Sequence, residues 1–183
     1  MADIVPIVEE YASFATPGPA VGYFHWAFLP RASFATDVIM AYGGGNFVRQ
    51  ILEFGAGANA EATALFKADD AFDVYANFFD QLSVTNTSVF DYTAGANEDY
   101  QAQLSDQAAG RKISIPTHVM FSIYNLETLS GFNVSEIWKK WVHTNISLTV
   151  QGVGGKRGHF IIEEAPTETI SQLSNFMDLL GVL

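Results

Sequence analysis

The pattern of apolar and polar positions predicts helices in the longer first part of the chain. Apolar side chains there recur at intervals of three and four residues, which places them on one face of a helix. The segments with this spacing are Val8 to Phe14, Phe47 to Phe54, Ala60 to Phe66, Ala68 to Phe79 and Val89 to Ala109, and the aromatic-rich segment Val21 to Leu29 is also predicted to be helical. Turn-forming residues separate them, at Thr16-Pro17-Gly18-Pro19, Gly43-Gly44-Gly45 and Gly55 to Gly57. We therefore expect a small helical layer.

The last part of the chain alternates between predicted strands and predicted helices. Two short apolar runs, Ile113 to Ile123 and Ile146 to Val150, are typical of buried strands. Helices are predicted for Ser135 to Val142, with Ser135 as the N-cap, and for Pro166 to Leu180. Because strands that alternate with helices usually pair in parallel, this part predicts an α/β fold with a small, mostly parallel sheet flanked by helices.

Composition and charge narrow the class of protein. The chain has 183 residues, of which 49% are hydrophobic, enough for one folded domain with a core. Nine basic residues against twenty acidic ones give a net charge of -11, and the basic residues are scattered, so we expect neither nucleic acid nor a membrane as a partner. Without cysteine there is no disulfide and no thiol nucleophile, which fits a reducing compartment. The chain starts without a basic region and reaches Asp3, Glu9 and Glu10 early, so we expect no signal peptide or spanning helix and predict a cytoplasmic location.

A histidine near the C-terminal end is the main candidate for chemistry. His159 follows Gly158, and Glu163-Glu164-Ala165-Pro166 leads from it into the last predicted helix. A histidine is well suited to act as a general base, although a lone histidine after a glycine is often an ordinary turn residue. The two glutamates precede a helix start, where carboxylates are favoured by the helix dipole, so we predict a capping role for them.

Several classes of site are disfavoured by the motifs that the sequence does and does not contain. The four histidines lack close ligand spacing with carboxylates, so we expect no metal and no cofactor. There is no Gly-x-Ser-x-Gly elbow and no phosphate-binding glycine loop, which argues against a serine hydrolase and a nucleotide-binding protein. His118 and His143 are predicted to be structural or exposed, and Trp138 and Trp141, three residues apart on one helix face, are predicted to lie in the core.

Six separated segments together resemble a known family. They are Asp3-Ile4-Val5-Pro6 at the end of a predicted strand, Tyr23-Phe24-His25-Trp26-Ala27-Phe28-Leu29, Asp91-Tyr92-Thr93-Ala94-Gly95-Ala96, Ala109-Gly110-Arg111-Lys112-Ile113, Ile137-Trp138-Lys139-Lys140-Trp141, and Gly158-His159-Phe160 with Glu163-Glu164-Ala165-Pro166. In this order and spacing the chain resembles the second half of a fluoroacetate or haloacetate dehalogenase, a branch of the α/β hydrolases close to the soluble epoxide hydrolases. The resemblance covers nearly the whole chain.

The resemblance implies a fold and a division of the chain. It implies a partial α/β-hydrolase fold, with a helical cap layer and a sheet remnant flanked by helices. Residues 1–14 would form the end of a core strand and the entry to the cap, residues 15–109 the cap-like region, and residues 110–183 the C-terminal core with the histidine loop. A sheet remnant with a bare edge strand favours pairing between copies, so we expect a homo-oligomer.

The resemblance also implies roles for individual residues. In that family an aspartate attacks the carbon that bears the leaving group, and a histidine, oriented by a second aspartate, then activates water against the ester intermediate. His159 matches the base and Asp3 matches the orienting acid. His25, Trp26 and Tyr92 match cap residues that donate hydrogen bonds to the departing halide. Read without the resemblance, Asp3 is a solvated terminal acid and the aromatic residues are ordinary helix packing.

Three departures from the family pattern accompany these matches. The family's nucleophile elbow lies upstream of the segment that begins with Asp3, so we expect these residues alone to form no aspartyl ester and to release no fluoride from fluoroacetate. In addition, Phe121-Ser122-Ile123-Tyr124 stands where the family usually has a Trp-Gly pair, and Gly152-Val153-Gly154-Gly155-Lys156-Arg157 lengthens the approach to His159.

Three functions remain open from the sequence. The first is a hydrolase-family protein that resembles haloacetate dehalogenases and epoxide hydrolases and acts on a small organic molecule. The second is a protein that binds a small apolar molecule, or a non-covalent acid-base enzyme that promotes isomerisation, elimination or cyclisation, since such chemistry needs only a base and donors. The third is an interaction protein without catalytic activity.

Overall fold

The computed structural model describes residues 1–182, and Leu183, the last residue of the third predicted region, lies outside the described residues. The α-helices are α1 (Ile7–Ser13), α2 (Pro17–Gly22), α3 (Phe24–Phe28), α4 (Ser33–Tyr42), α5 (Gly44–Gly55), α6 (Ala60–Phe66), α7 (Ala71–Phe79), α8 (Leu82–Ala94), α9 (Tyr100–Ala108), α10 (Val134–Trp141), α11 (Ile161–Glu164) and α12 (Pro166–Leu179). Short 3-10 turns lie at Leu29–Arg31 and Ala68–Asp70, and π-helical segments at Gly95–Asp99 and Ile123–Leu129. The strands are β1 (Thr117–Ser122) and β2 (Leu148–Val153). Across residues 1–182, no helix is both long and apolar enough to cross a membrane.

The chain divides into two compact units. The first unit contains Met1–Val5, Gly55–Ala68 and residues 112–182, and so includes both strands. The second unit contains Pro6–Phe54 and Asp69–Arg111 and is helical. Each unit therefore combines segments that are distant in sequence.

The first unit confirms the predicted strand-helix-strand-helix order and its parallel pairing. Strands β1 and β2 pair in parallel, with Thr117 opposite Leu148 and Ser122 opposite Val153. Every residue of β1 is buried, as expected for a strand covered on both faces. The backbone of Ala2 makes a parallel bridge to Met120, so the first residues of the chain extend this sheet beyond β1. Helix α10 connects the two strands.

The predicted core residues of this unit are buried. Trp138 and Trp141 of α10 are 4% and 8% exposed, which confirms their core position. His118 is also buried: its ring stacks on Phe176, and its Nδ1 lies 2.7 Å from the Thr149 hydroxyl. Burial lowers the pKa of His118, which favours its neutral form. His143 is exposed, so both histidines fit the structural or exposed reading of the sequence.

The second unit forms a helical core in which α4 packs against α8. Leu29, Ala35, Ile39 and Val89 form a buried cluster there. The sequence pattern did not predict α4, because small and polar residues interrupt its apolar positions. Packing against α8 stabilises this helix where its own hydrophobic pattern is weak.

Two segments that were predicted as turns are helical. Helix α2 begins at Pro17, because proline fits the first position of a helix, where its missing N–H is not needed. Helix α5 begins at Gly44, and the carboxylate of Asp80 accepts the N–H of Gly45 at 2.7 Å. A Cβ on Gly44 would lie 1.8 Å from the carbonyl oxygen of Phe79. The missing side chain of Gly44 therefore allows the start of α5 to lie against the backbone of Phe79.

The N-cap of α10 is Asn133, so the predicted cap Ser135 is wrong. The side-chain oxygen of Asn133 accepts the N–H of Glu136 at 3.1 Å, which satisfies one of the free donors at the helix start. We expect Asn133→Ala to lower the free energy of unfolding by about 1 kcal/mol, measured by urea denaturation. Ser135→Ala is the matched control and should change it by less than about 0.5 kcal/mol. Equal losses for the two variants would contradict this assignment.

Candidate active site

The first unit brings Asp3 and His159 into contact. Asp3 follows the bridge to β1, and its N–H donates to the carbonyl of Met120 at 2.8 Å. His159 lies in the loop between β2 and α11. Its Nδ1 is 2.9 Å from Oδ2 of Asp3, although the two residues are 156 positions apart in the chain. The two residues that the resemblance implies as base and orienting acid therefore form a hydrogen-bonded pair.

The carboxylate of Asp3 is buried and accepts hydrogen bonds from three groups. The N–H of Ser122 donates to Oδ1 at 2.7 Å, and the Asn125 side-chain amide donates to Oδ2 at 2.8 Å, beside His159. Asp3 is 2% exposed, so it is not a solvated terminal acid. Because a buried carboxylate is costly without donors, this set of bonds is what allows a charged group at this position.

The protonation of His159 follows from this arrangement. An ionised carboxylate can only accept, so Nδ1 of His159 carries the proton in the bond to Asp3. In the neutral ring Nε2 then has the lone pair, which is the form needed for a general base. The His159 side chain is 49% exposed, whereas that of Asp3 is 1% exposed, so the pair has a buried acid and an accessible ring.

The backbone of Asp3 is held in an unusual conformation. Its φ angle is +46°, in the left-handed region that residues other than glycine rarely adopt. Aspartate is among the residues that tolerate this region best. The hydrogen bonds of its backbone and its carboxylate fix this conformation, which directs the side chain at His159.

Ser122 and Asn125 are functional candidates that the sequence analysis did not identify. The hydroxyl of Ser122 is fully buried, donates to the carbonyl of Arg157 at 2.5 Å and accepts the N–H of Asn125 at 2.9 Å. Ser122 thus links the end of β1 to the backbone of Asn125, whose side chain binds Asp3, and to the loop of His159. The signal in the sequence was a serine directly after the apolar run Val119 to Phe121, followed three residues later by an asparagine.

Close backbone contacts hold the loop of His159. The N–H of His159 donates to the carbonyl of Gly55 at 2.7 Å, and the ring of the next residue, Phe160, packs on Phe66 with centroids 4.8 Å apart. A Cβ on Gly158 would lie 2.2 Å from the carbonyl oxygen of Gly55, so this position requires glycine. Glu164 does not cap α12 as predicted, because its carboxylate binds the N–H groups of Gly57 and Gly158 instead.

The second unit brings His25, Trp26 and Tyr92 together. The ring of Tyr92 lies 5.7 Å from that of His25 and 5.6 Å from that of Trp26, both in edge-on geometry. The hydroxyl of Tyr11 donates to the backbone carbonyl of Trp26 at 3.0 Å. Burial raises the pKa of Tyr92 to about 12, and nearby Asp91 adds to this shift, so the phenol stays protonated near neutral pH. These residues form an aromatic cluster with a hydroxyl donor.

The Asp3–His159 pair can accept a proton from water or from carbon. In this arrangement Nε2 is the accepting atom, and Asp3 stabilises the imidazolium that forms. In the part of the chain that the structure describes, no group of three or more histidine, aspartate and glutamate side chains is placed to hold a metal ion.

Solved structures with a similar fold come from several bacteria. A proposed acyltransferase from Salmonella enterica is 26% identical over all of this chain, with a TM-score of 0.78. A proposed α/β hydrolase from a Nostoc species is 27% identical over 96% of this chain, with a TM-score of 0.79. A proposed epoxide hydrolase from Pseudomonas aeruginosa is 23% identical over 97% of this chain, with a TM-score of 0.78. No protein-family model matches the chain.

These matches cover only part of the solved structures. The chain corresponds to 55% of the acyltransferase chain, 56% of the α/β-hydrolase chain and 55% of the epoxide hydrolase chain. The chain therefore spans about half the length of the structures that it matches. This confirms the resemblance to the C-terminal half of an α/β hydrolase and the predicted class, a partial α/β-hydrolase fold with a small parallel sheet.

Proposed function

We propose that His159 is the general base of a hydrolytic reaction on a small organic molecule and that Asp3 orients it. The observation that carries this proposal is the 2.9 Å contact between Nδ1 of His159 and the buried carboxylate of Asp3. Ser122 and Asn125 also donate to that carboxylate, and among these three donors His159 has the titratable ring. A surface histidine would need no such arrangement.

The resemblance supports a haloacid or an epoxide as the substrate class. In the resembled enzymes an aspartate oxygen bonds to the substrate carbon, and the halide or epoxide oxygen leaves. The base then takes a proton from water, whose oxygen adds to the ester carbonyl and regenerates the carboxylate. The step that we assign to this chain is the second one, with Nε2 of His159 as proton acceptor.

We assign the leaving-group contacts to the aromatic cluster of the second unit. The protonated hydroxyl of Tyr92 and the ring N–H groups of His25 and Trp26 are donors of the kind that a halide or alkoxide binds. The assignment of this role comes from the resemblance. The short distances from the ring of Tyr92 to those of His25 and Trp26 support it.

A second candidate is non-covalent acid-base catalysis on a small apolar molecule. Isomerisation, elimination or cyclisation requires a base that removes a proton from carbon, without a nucleophilic carboxylate. The observation behind it is that the first unit contains both residues that this chemistry needs, the base His159 and its orienting acid Asp3. It predicts no covalent adduct at any stage.

The experiment measures turnover of chloroacetate, fluoroacetate, an epoxide and an activated ester by the protein as its gene encodes it. We expect turnover of at least one substrate, and His159→Ala should lower its kcat by about 10²- to 10⁴-fold because the base is lost. His143→Ala is the matched control, an exposed histidine of the same unit, and should leave kcat unchanged. No turnover of any substrate, or equal rates for His159→Ala and the wild type, would contradict the proposal.

A trapping experiment separates the two candidates. His159→Gln keeps a polar side chain at this position but cannot activate water, so a covalent route should leave the substrate attached to a carboxylate. Mass spectrometry of the intact protein measures the added mass. An adduct supports the covalent route, and turnover by the wild type without any adduct in the variant supports the non-covalent one.

We also propose a homo-oligomer and a cytoplasmic location. Large apolar side chains, Phe34, Val38 and Tyr42, are exposed at four-residue intervals on α4, which supports contact with a second copy. The absence of cysteine fits a reducing compartment. Light scattering on the purified protein and fractionation of cells test the two proposals separately.

A further inference from the structure

Glu164 is a fully buried carboxylate close in sequence to the candidate base. It ends α11, is 0% exposed, and its Oε2 accepts the N–H of Gly158 at 2.8 Å and that of Gly57 at 3.0 Å. In the described part of the chain its other oxygen, Oε1, has no hydrogen-bond partner. A buried carboxylate without a cation is costly, so its position calls for a reason beyond packing.

The two glycines that Glu164 binds belong to two loops that touch through their backbones. A Cβ on Gly57 would lie 2.3 Å from the carbonyl oxygen of Lys156, and a Cβ on Gly158 would lie 2.3 Å from the nitrogen of Gly57. The N–H of Ala58 also donates to Lys156 at 2.9 Å. The loops are therefore in direct contact, and one carboxylate oxygen holds an N–H from each.

His159 comes directly after the glycine that Glu164 holds. Its own N–H donates to the carbonyl of Gly55 in the neighbouring loop, and the N–H of the preceding Gly158 donates to Glu164. The side chain leaves this fixed backbone and meets Asp3 at 2.9 Å. A shift of this loop would move the ring away from Asp3, and the bond from Gly158 to Glu164 opposes such a shift together with the bonds from Ser122 to Arg157 and from His159 to Gly55.

We propose that Glu164 is a positioning residue that sets the His159 ring against Asp3 through the backbone of Gly158. It acts at a distance from the substrate: its carboxylate accepts the two glycine N–H groups, and those bonds fix the loop. Without this acceptor, the buried N–H of Gly158 and the partly buried N–H of Gly57 would be left without a partner, and the loop would move to satisfy them with water. This inference rests on the proposed role of His159 as a base.

The chemistry of the contact distinguishes the variants. In Glu164→Gln the amide oxygen can accept both N–H groups, so the loop should keep its position. Glu164→Asp is one methylene shorter and cannot reach both glycines, and Glu164→Ala has no acceptor. Glu163→Gln, on the same short helix, is the matched control for loss of a negative charge.

The test uses a signal of His159 that does not depend on turnover. The Nδ1 proton that His159 shares with Asp3 should give a separate low-field proton NMR resonance in the wild type, assigned by its loss in His159→Gln. We expect this resonance in Glu164→Gln and Glu163→Gln, and expect it to be lost in Glu164→Asp and Glu164→Ala. If the wild type turns over a substrate, kcat should fall about 100-fold in Glu164→Asp and Glu164→Ala, with KM nearly unchanged. A displaced base affects only the chemical step.

The outcomes separate this inference from the proposed function. Retention of the resonance and of kcat in folded Glu164→Asp would overturn the role of Glu164, and so would its loss in Glu164→Gln with the fold intact. If Glu164→Ala does not fold, the aspartate and glutamine variants decide the question. If His159→Ala leaves turnover unchanged, the proposed function fails, while the resonance still reports whether Glu164 positions the ring.

Discussion

Asp3→Asn is expected to lower the turnover that depends on His159 by about 10⁴-fold. The carboxylate accepts bonds from Ser122, Asn125 and His159 at once, whereas an amide offers one acceptor oxygen and one donor group. If the amide oxygen stays with the N–H of Ser122, the NH₂ group takes the position that faces Asn125 and Nδ1 of His159. The ring would then carry its proton on Nε2, the atom that has to accept one.

The measurement is kcat for whichever substrate the gene product turns over. The control is a variant of an exposed aspartate in the same unit. Asp178→Asn in α12 removes the same charge far from the pair in sequence and should leave kcat within about 2-fold, as is usual for surface substitutions. A wild-type rate in Asp3→Asn would show that His159 does not need this carboxylate, and the pair would then be only structural.

Gly158→Ala is expected to lower the free energy of unfolding by about 3 kcal/mol. The added Cβ would lie 2.2 Å from the carbonyl oxygen of Gly55 and 2.3 Å from the nitrogen of Gly57. Both neighbours are backbone atoms, so the two loops would have to separate. This would break the bond from the N–H of His159 to Gly55 and the bond from Gly158 to Glu164.

Gly154→Ala provides the comparison for this prediction. Gly154 precedes the same loop, and nothing lies within 4 Å of the position that its Cβ would take. Urea denaturation of the two variants should give a large loss for Gly158→Ala and a change below about 0.5 kcal/mol for Gly154→Ala. Similar free energies of unfolding for the two variants would mean that the two loops can separate without loss of stability. Turnover and the His159 resonance should be lost in Gly158→Ala alone.

The elements with strong hydrophobic spacing were predictable from the sequence. Helix α6 was predicted at its observed bounds, and α12 and the parallel strands β1 and β2 were predicted to within a few residues. Helix α4 was missed, and α2 was taken for a turn. In both cases the local sequence is ambiguous: proline marks turns as well as helix starts, and the spacing in α4 is weak without the α8 surface that buries it.

The sequence alone determined the class of fold and, through its resemblance to the α/β hydrolases, the identity of His159 and Asp3 as candidates. A periodic pattern reports which face of an element is buried, because burial of that face is a local property of each helix or strand. Only the tertiary structure decided that Ser122 and Asn125 hold Asp3 and that Glu164 binds two glycines. These contacts join residues up to 122 positions apart, and hydrogen bonds over such separations depend on how the strands and loops meet in space, which no local pattern encodes.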